Sequence, residues 1–237
     1  MCGRTTSTHS RDYLARLLDV DEVSAPELPT SWNVAPTQLV YAVVGSSDGL
    51  RSLRALRWGL VPNWAKDPRV GARLINARAE TITTRPAFRS LVNTHRALLP
   101  VSGFYEWRQS PRVKGKGQPF YFQEPDGEPV VFAGLWDQWS DAEGGPTGTC
   151  TIITTKANKI MAPVHHRMPV LLPRKHWDLW LHPGPFDPRL NEMLVSAADV
   201  LLEAHPVGTF VNYTTNDGPE LVMPEPRDDD EVQKTLF

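Results

Sequence analysis

The stretch Arg96-Ala97-Leu98-Leu99-Pro100-Val101-Ser102-Gly103-Phe104-Tyr105-Glu106-Trp107-Arg108 sets the frame for the whole chain. Arg96 to Val101 is an apolar run of strand length bounded by a Ser-Gly step, which predicts a β-strand. Beyond that step, Glu106 stands alone among aromatics. A carboxyl held in apolar surroundings favours its neutral form, and that is how a glutamic acid becomes a general acid near neutral pH. A strand glutamate facing solvent, or paired with Arg108, fits the same pattern.

Moving outward, β-type segments dominate. Leu39 to Val44 and Leu53 to Leu60 flank Ser46-Ser47-Asp48-Gly49 and predict a hairpin. Pro119 to Gln123 and Pro129 to Leu135 flank Asp126-Gly127, a second hairpin signal. Ala133 to Trp139 is apolar and aromatic and reads as core. Cys150 to Thr155 is a β-branched strand, with Cys150 a buried, inert thiol. Val207 to Tyr213 is a further strand, and Asp217-Gly218-Pro219 a turn. Helices are predicted over Ser10 to Leu18, capped by Ser10, and over Thr84 to about Val92, capped by Thr84 with Pro86 in the first turn. Amphipathic helices are also predicted over Pro173 to Leu181 and Leu190 to His205. Ala25 to Thr37 is a loop set by Pro26, Pro29 and Pro36, with Trp32 and Asn33 on its irregular backbone. Ser110 to Gln118 is a basic loop, Asp141 to Gly148 a polar one, and the chain from Arg227 an acidic tail that reads as disordered. No repeat or internal linker is visible, so the chain reads as one domain, residues 1–224, followed by a tail at 225–237.

The bulk numbers exclude several classes. The chain has 237 residues, 41% hydrophobic and 22% charged, an ordinary globular balance. No apolar run approaches a membrane span and no secretory signal is visible. The only cysteines are Cys2 and Cys150, too few for a disulfide framework, which points to a reducing, cytoplasmic setting. Cysteine pairs of zinc type are absent, and the His165-His166 step has no third ligand at convincing spacing, so neither metal nor cofactor is expected. Residues 1–120 carry 17 Lys+Arg against 9 Asp+Glu, and the remainder 8 against 18. Such asymmetry fits a polyanion-binding face, and equally charges that mix once the chain folds.

Four stretches carry chemistry. Met1-Cys2-Gly3-Arg4 places a cysteine second, where removal of Met1 would leave a free amine and a thiol on adjacent carbons. Such a 1,2-aminothiol condenses with an aldehyde to an imine and then closes a thiazolidine ring. With a free amine near pKa ~8 and a thiol near ~8.5, both groups are partly poised at neutral pH. Arg4 beside them offers a guanidinium fork suited to phosphate. In Trp58-Gly59-Leu60-Val61-Pro62-Asn63-Trp64, Trp58 reads as packed inside and Trp64 as a stacking or wedge residue for a base. In Asn76-Ala77-Arg78-Ala79-Glu80-Thr81, an extended backbone would align Asn76, Arg78 and Glu80 on one face. A solvated outer face would look the same. In His165-His166-Arg167-Met168-Pro169, His165 can shuttle a proton and Arg167 can hold a phosphate.

Taken in order, Met1-Cys2-Gly3-Arg4, Asn33-Val34-Ala35-Pro36, Trp58-Gly59-Leu60-Val61-Pro62, Asn76-Ala77-Arg78-Ala79-Glu80-Thr81, Gly103-Phe104-Tyr105-Glu106-Trp107 and His165-His166-Arg167-Met168-Pro169 resemble the SRAP (SOS response-associated peptidase) family. The resemblance spans residue 1 to about 224. It implies an α+β fold of curved, mostly antiparallel sheets forming a barrel-like core with peripheral helices. It implies a monomeric DNA-repair protein that captures abasic sites in single-stranded DNA as a covalent adduct through Cys2. By matched position, Asn76, Glu106 and His165 would surround Cys2. Arg4, Arg78 and Arg167 would hold phosphates, and Pro36 and Trp64 would also touch DNA. The peptidase in the family name is best understood as removal of its own Met1. One position departs from the family pattern: an acidic residue usually follows His165, and here it is His166. Two other readings of the same residues are a cysteine peptidase acting in trans with Cys2, His165 and Asn76, and a non-covalent single-strand DNA binder.

Overall fold

A computed structural model describes residues 2–109, 117–140, 145 and 147–225. Met1, most of the basic loop at 110–118, most of the polar loop at 141–148 and the acidic tail lie outside the described residues. Strands are β1 (Thr5–Ser7), β2 (Glu22–Val23), β3 (Ser31–Val34), β4 (Leu39–Gly45), β5 (Arg51–Trp58), β6 (Asn76–Arg78), β7 (Arg96–Val101), β8 (Gly103–Arg108), β9 (Gln118–Gln123), β10 (Val130–Trp139), β11 (Thr147–Lys156), β12 (Arg167–Pro169) and β13 (Glu203–Pro206). Helices are short: α1 (Arg11–Leu17), α2 (Leu91–Thr94), α3 (Trp177–Leu181) and α4 (Arg189–Met193), with 3₁₀ turns between elements.

Strands β11, β10, β7, β4 and β5 pair in that order, and β5 pairs back onto β11, closing a five-stranded ring. All its pairings are antiparallel except the β5–β11 seam, which is parallel with Cys150 opposite Trp58. Side chains alternate across each strand, so the ring has two faces. Ala42, Val44, Leu56, Trp58, Ala97, Leu99, Phe132, Cys150 and Ile152 form one cluster. Tyr41, Val43, Leu53, Leu98, Ala133 and Ile153 form another with Leu14, Leu18, Trp177 and Trp180 from the helical segments. The helices pack on the second cluster and mark it as the outer face, so the first cluster is the inner, lumen face, open to side chains from beyond the ring.

A second sheet, in the order β13-β9-β8-β1-β3, contributes Phe104 and Phe122 to the lumen cluster. Phe104 meets Phe132 edge-on at 5.4 Å, which seats this sheet against the barrel. Strands β6 and β12 pair with the end of β11 that runs beyond the ring, on its two opposite edges, with Thr154 facing Arg78 on one and Pro169 on the other. The α+β class, the antiparallel bias and the barrel core are those the sequence resemblance implied.

Several local expectations are corrected. Asp126-Gly127 does turn, with Gly127 at φ 77°, but β9 pairs with β8 and β10 with β7, so the turn joins two sheets instead of a hairpin. The helix expected over Thr84 to Val92 is a series of turns ending in α2, because Phe88, Leu91 and Val92 must reach the outer core before the chain enters β7. The helix expected over Leu190 to His205 stops at Met193. Ser196 then donates to the Lys156 carbonyl, and residues 203–206 become an edge strand with Ala204 opposite Phe122. The strand expected over Val207 to Tyr213 is a 3₁₀ turn at Thr209–Asn212, its Val211 carbonyl taken by Arg4. The strand Leu53 to Leu60 ends at Trp58, where Gly59 takes φ 124°.

Candidate functional site

Strand β1 carries the N-terminal motif into the molecule. It pairs with β8, Thr5 opposite Phe104, and the Tyr105 N–H donates to the Arg4 carbonyl. The antiparallel register therefore runs Cys2 and Gly3 past Glu106 and Trp107. On β8, Phe104 and Glu106 share the face turned to the barrel, while Tyr105 faces a separate small core. Cys2 is 1% exposed and joins the lumen cluster; Glu106 is 5% exposed.

Strand β6 brings Asn76 from the other side. Asn76 lies opposite Ile152 of β11, so it points as Ile152 does, toward the lumen cluster. Its Nδ2 donates to the Cys2 carbonyl at 2.7 Å. Its Oδ1 is buried and accepts no hydrogen bond among the described residues. His165 arrives from the segment leading into β12. Burial pulls its proton affinity below that of an ordinary histidine; the charge of Glu106 opposes this, and His166, stacked on it at 4.4 Å, adds to it. The Arg167 N–H lies 3.0 Å from His165 Nδ1 and the Arg167 carbonyl 3.2 Å from the same atom, so the Arg167 backbone fixes the ring's orientation. Burial also pushes the Cys2 thiol far up, and the Glu106 charge pushes it further. Glu106 thus acts electrostatically on both Cys2 and His165. The four residues singled out for chemistry share one location at the junction of the two sheets.

The arginines divide. Arg4 is buried; its Nη1 donates to Asn33 Oδ1 and, at 2.8 Å, to the Val211 carbonyl, and its guanidinium stands 5.9 Å from the Trp107 ring. Asn33 in turn donates to the Tyr213 carbonyl at 2.9 Å and to that of Asn216 at 2.6 Å. Arg167 is also buried. It forms a two-pronged pair with Glu80, Nη1 to Oε1 at 2.6 Å and Nη2 to Oε2 at 2.9 Å, and Nη2 reaches the Thr154 carbonyl at 2.6 Å. Sequence spacing could not show that both forks are occupied by protein, since Asn33 and Glu80 lie 29 and 87 residues from their partners. Arg78 is exposed at the end of β6. The strand face imagined through Glu80 stops there: residues 79–81 turn as a 3₁₀ segment, which lets Glu80 fold back onto Arg167.

Trp58 is buried, its Nε1 donating to the Ile75 carbonyl at 2.9 Å. Trp64 is 63% exposed, on a loop braced by the Asn63 N–H to Asp137 (2.8 Å) and by Trp139 Nε1 to the Ala65 carbonyl (2.7 Å). Pro36 is half-buried at the corner from β3 to β4, where the Thr37 N–H donates to the Trp58 carbonyl at 2.7 Å. Among the described residues no three His, Cys, Asp or Glu side chains gather as a metal site, and no helix is long and apolar enough to cross a membrane.

The family model described as SOS response associated peptidase (SRAP) matches residues 1–214. Abasic site processing protein YoaM of Bacillus subtilis is 40% identical over 228 residues, covering 95% of this chain and 99% of the relative. Abasic site processing protein YoqW of the same organism is 38% identical over 225 residues, covering 94% and 99%. Abasic site processing protein YedK of Escherichia coli is 30% identical over 234 residues, covering 94% and 100%. Among solved structures, a protein from Bacteroides thetaiotaomicron superposes with a TM-score of 0.83 at 24% identity, covering 95% of this chain and all of that one, a likeness of fold. With the family model matching from the first residue through the 3₁₀ turn at Thr209–Asn212 that Arg4 holds, the chain belongs to the SOS response associated peptidase (SRAP) family.

Proposed function

We propose that this protein captures abasic sites in single-stranded DNA through Cys2 once Met1 has been removed. The supporting observation is the placement of Asn76, Glu106 and His165 around Cys2: a hydrogen bond from Asn76 and the charge of Glu106 felt at both the thiol and the imidazole. The relatives' shared name, abasic site processing protein, supports the same substrate.

The ring-closed abasic sugar must first open. Glu106 takes the proton of the anomeric hydroxyl and returns one to the ring oxygen, exposing the C1′ aldehyde. The neutral Cys2 amine attacks C1′, a C–N bond forms, and the carbonyl electrons move to oxygen. One amine proton passes to that oxygen, and the resulting hydroxyl leaves as water with a proton from His165 Nε2, which the second amine proton replaces, giving the imine. The Cys2 thiol then adds across C=N: sulfur bonds to C1′ and its proton passes to nitrogen. Amine, aldehyde and thiol become one thiazolidine and one water. The buried Asn76 Oδ1 is suited to accept from the new amine and aim it. The thiazolidine removes the imine that would drive strand cleavage by β-elimination, and the same acid and base run backwards would release the DNA. Arg78 and Arg167 hold the flanking phosphates, Trp64 and Pro36 contact bases, and Arg4 acts from inside by fixing β1.

The raised thiol weighs against a peptidase acting in trans, which needs a ready thiolate. The test is a denaturing gel with a single-stranded oligonucleotide carrying one abasic site, run beside an intact-mass measurement. A band of reduced mobility, lost in Cys2→Ala and slowed in Glu106→Ala, is expected from protein lacking Met1. A full adduct on protein that retains Met1, or one that survives Cys2→Ala, would overturn the proposal.

A further inference from the structure

Glu80 has no part in the chemistry above, yet it holds the best-formed ion pair next to it. Its two oxygens meet the two terminal nitrogens of Arg167 at 2.6 and 2.9 Å. The Arg167 side chain is 10% exposed and that of Glu80 46%, so the carboxylate lies on the solvent side of the guanidinium. Two phosphate oxygens present the same edge to a guanidinium as two carboxylate oxygens. We propose that Glu80 is a built-in phosphate surrogate, covering the Arg167 fork in the free protein and giving way to a backbone phosphate when single-stranded DNA binds. The inference rests on the reading of Arg167 as a phosphate ligand.

The local structure suits an exchange. Arg167 is anchored independently of Glu80, by Nη2 to the Thr154 carbonyl at 2.6 Å and by its backbone opposite Lys156. The fork therefore stays in place when its partner changes. Glu80 sits just past the end of β6 in a 3₁₀ turn of three residues, so it can swing away without breaking the β6–β11 ladder. A direct swap never leaves the buried guanidinium unpaired, which would be the costly state. Arg78 also acts on Glu80, so the displaced carboxylate keeps a nearby cation. Arg167 holds the Glu80 carboxyl below the usual carboxylate range, so near neutral pH only a competing anion releases it. The contact thus suppresses capture of weak anions, and it leaves the arginine beside His165 neutralised until a strand is in place.

The test is fluorescence anisotropy with a labelled single-stranded oligonucleotide lacking any abasic site, so that only non-covalent binding is read. Glu80→Gln is expected to bind roughly threefold to tenfold more tightly at low salt. Its log Kd against log salt should keep the wild-type slope, because Arg167 meets the same phosphate in both complexes. Glu22→Gln removes a carboxylate exposed elsewhere and should give a smaller gain. In an Arg167→Gln background the effect of Glu80→Gln should vanish. If Glu80→Gln fails to fold, Glu80→Asp, with a shorter reach, carries the same expectation. Binding no tighter than that of Glu22→Gln, or a gain that persists without Arg167, would overturn the surrogate. Adduct formation by the wild type on abasic DNA is scored in parallel: its absence sinks the functional reading, whereas its presence with no Glu80 effect sinks only this inference.

Discussion

At the scale of single residues, the site is a contest between burial and charge. Burial alone keeps His165 neutral and Cys2 protonated, and Glu106 pulls the histidine the other way. The net shift at His165 is downward, so its titration falls below the ordinary histidine value of ~6.5. As pH drops, the unfolded chain takes this proton before the folded one. The site therefore costs stability only as pH falls below ~6.5 and nothing above it. In the proposed reaction the same shift makes protonated His165 a stronger acid but a scarcer one. Single-turnover adduct formation at saturating DNA, followed from pH 5 to 8, should show a limb centred below ~6.5 that is missing in His165→Gln. A limb centred above ~7 would mean that the Glu106 charge outweighs burial. Cys2 and Glu106 stood out in the sequence by their surroundings, whereas His165 was separable from His166, and Asn76 from Arg78 and Glu80, only through the family resemblance. The occupied forks of Arg4 and Arg167 were not legible, since a guanidinium meant for phosphate and one meant for carboxylate are the same residue until the fold supplies the partner.

At the scale of elements, the barrel closes at one short seam. Only Arg57–Thr149 and Trp58–Cys150 pair across β5 and β11, and the Gly59 N–H extends the ladder to the Cys150 carbonyl at 2.8 Å. Gly59 does this at φ 124°, and a Cβ there would stand 2.8 Å from the Gly71 carbonyl oxygen. An alanine is thus strained by backbone and by contact together. Gly59→Ala should cost about 2–4 kcal/mol, read as a fall in the urea midpoint at unchanged slope. A loss under about 0.5 kcal/mol would mean the seam gives way cheaply and contributes little to closure. Strands were the legible elements for a related reason. β4, β5, β7 and β11 are long apolar or alternating runs whose period survives in any partner arrangement. Helices were over-read, since Phe88, Leu91 and Val92 satisfy helical spacing while serving a few turns on the outside of a barrel. Partner choice was not legible: Asp126-Gly127 specifies a turn and says nothing of which sheet receives the next strand.

At the scale of the whole molecule, the two ends of the described chain hold each other. Arg4, two residues from Cys2, donates to the carbonyl of Val211, 207 positions away, and Asn33 ties both to Tyr213 and Asn216. The strand that carries Cys2 is short, three residues by its ladder, so this clasp and the β8 register share the task of fixing it. Local sequence could not announce the clasp, because none of its members is unusual alone and the closure exists only once both sheets have formed. Removing Asn33 leaves a buried guanidinium with only the Val211 carbonyl and the face of Trp107, and also frees two backbone carbonyls. Leaving buried polar groups unsatisfied costs about 1–3 kcal/mol each, with a charged one at the high end. In urea unfolding Asn33→Ala should therefore lose about that much for each group left unsatisfied, and its adduct formation should slow even under conditions where the variant is fully folded. Amide exchange at Thr5 and Tyr105 reports the same event directly, as lost protection along β1 and β8. Destabilisation with an unchanged adduct rate and unchanged exchange at these two amides would show that β8 alone positions Cys2. The far end of the chain would then be a structural neighbour of the site with no hold on it.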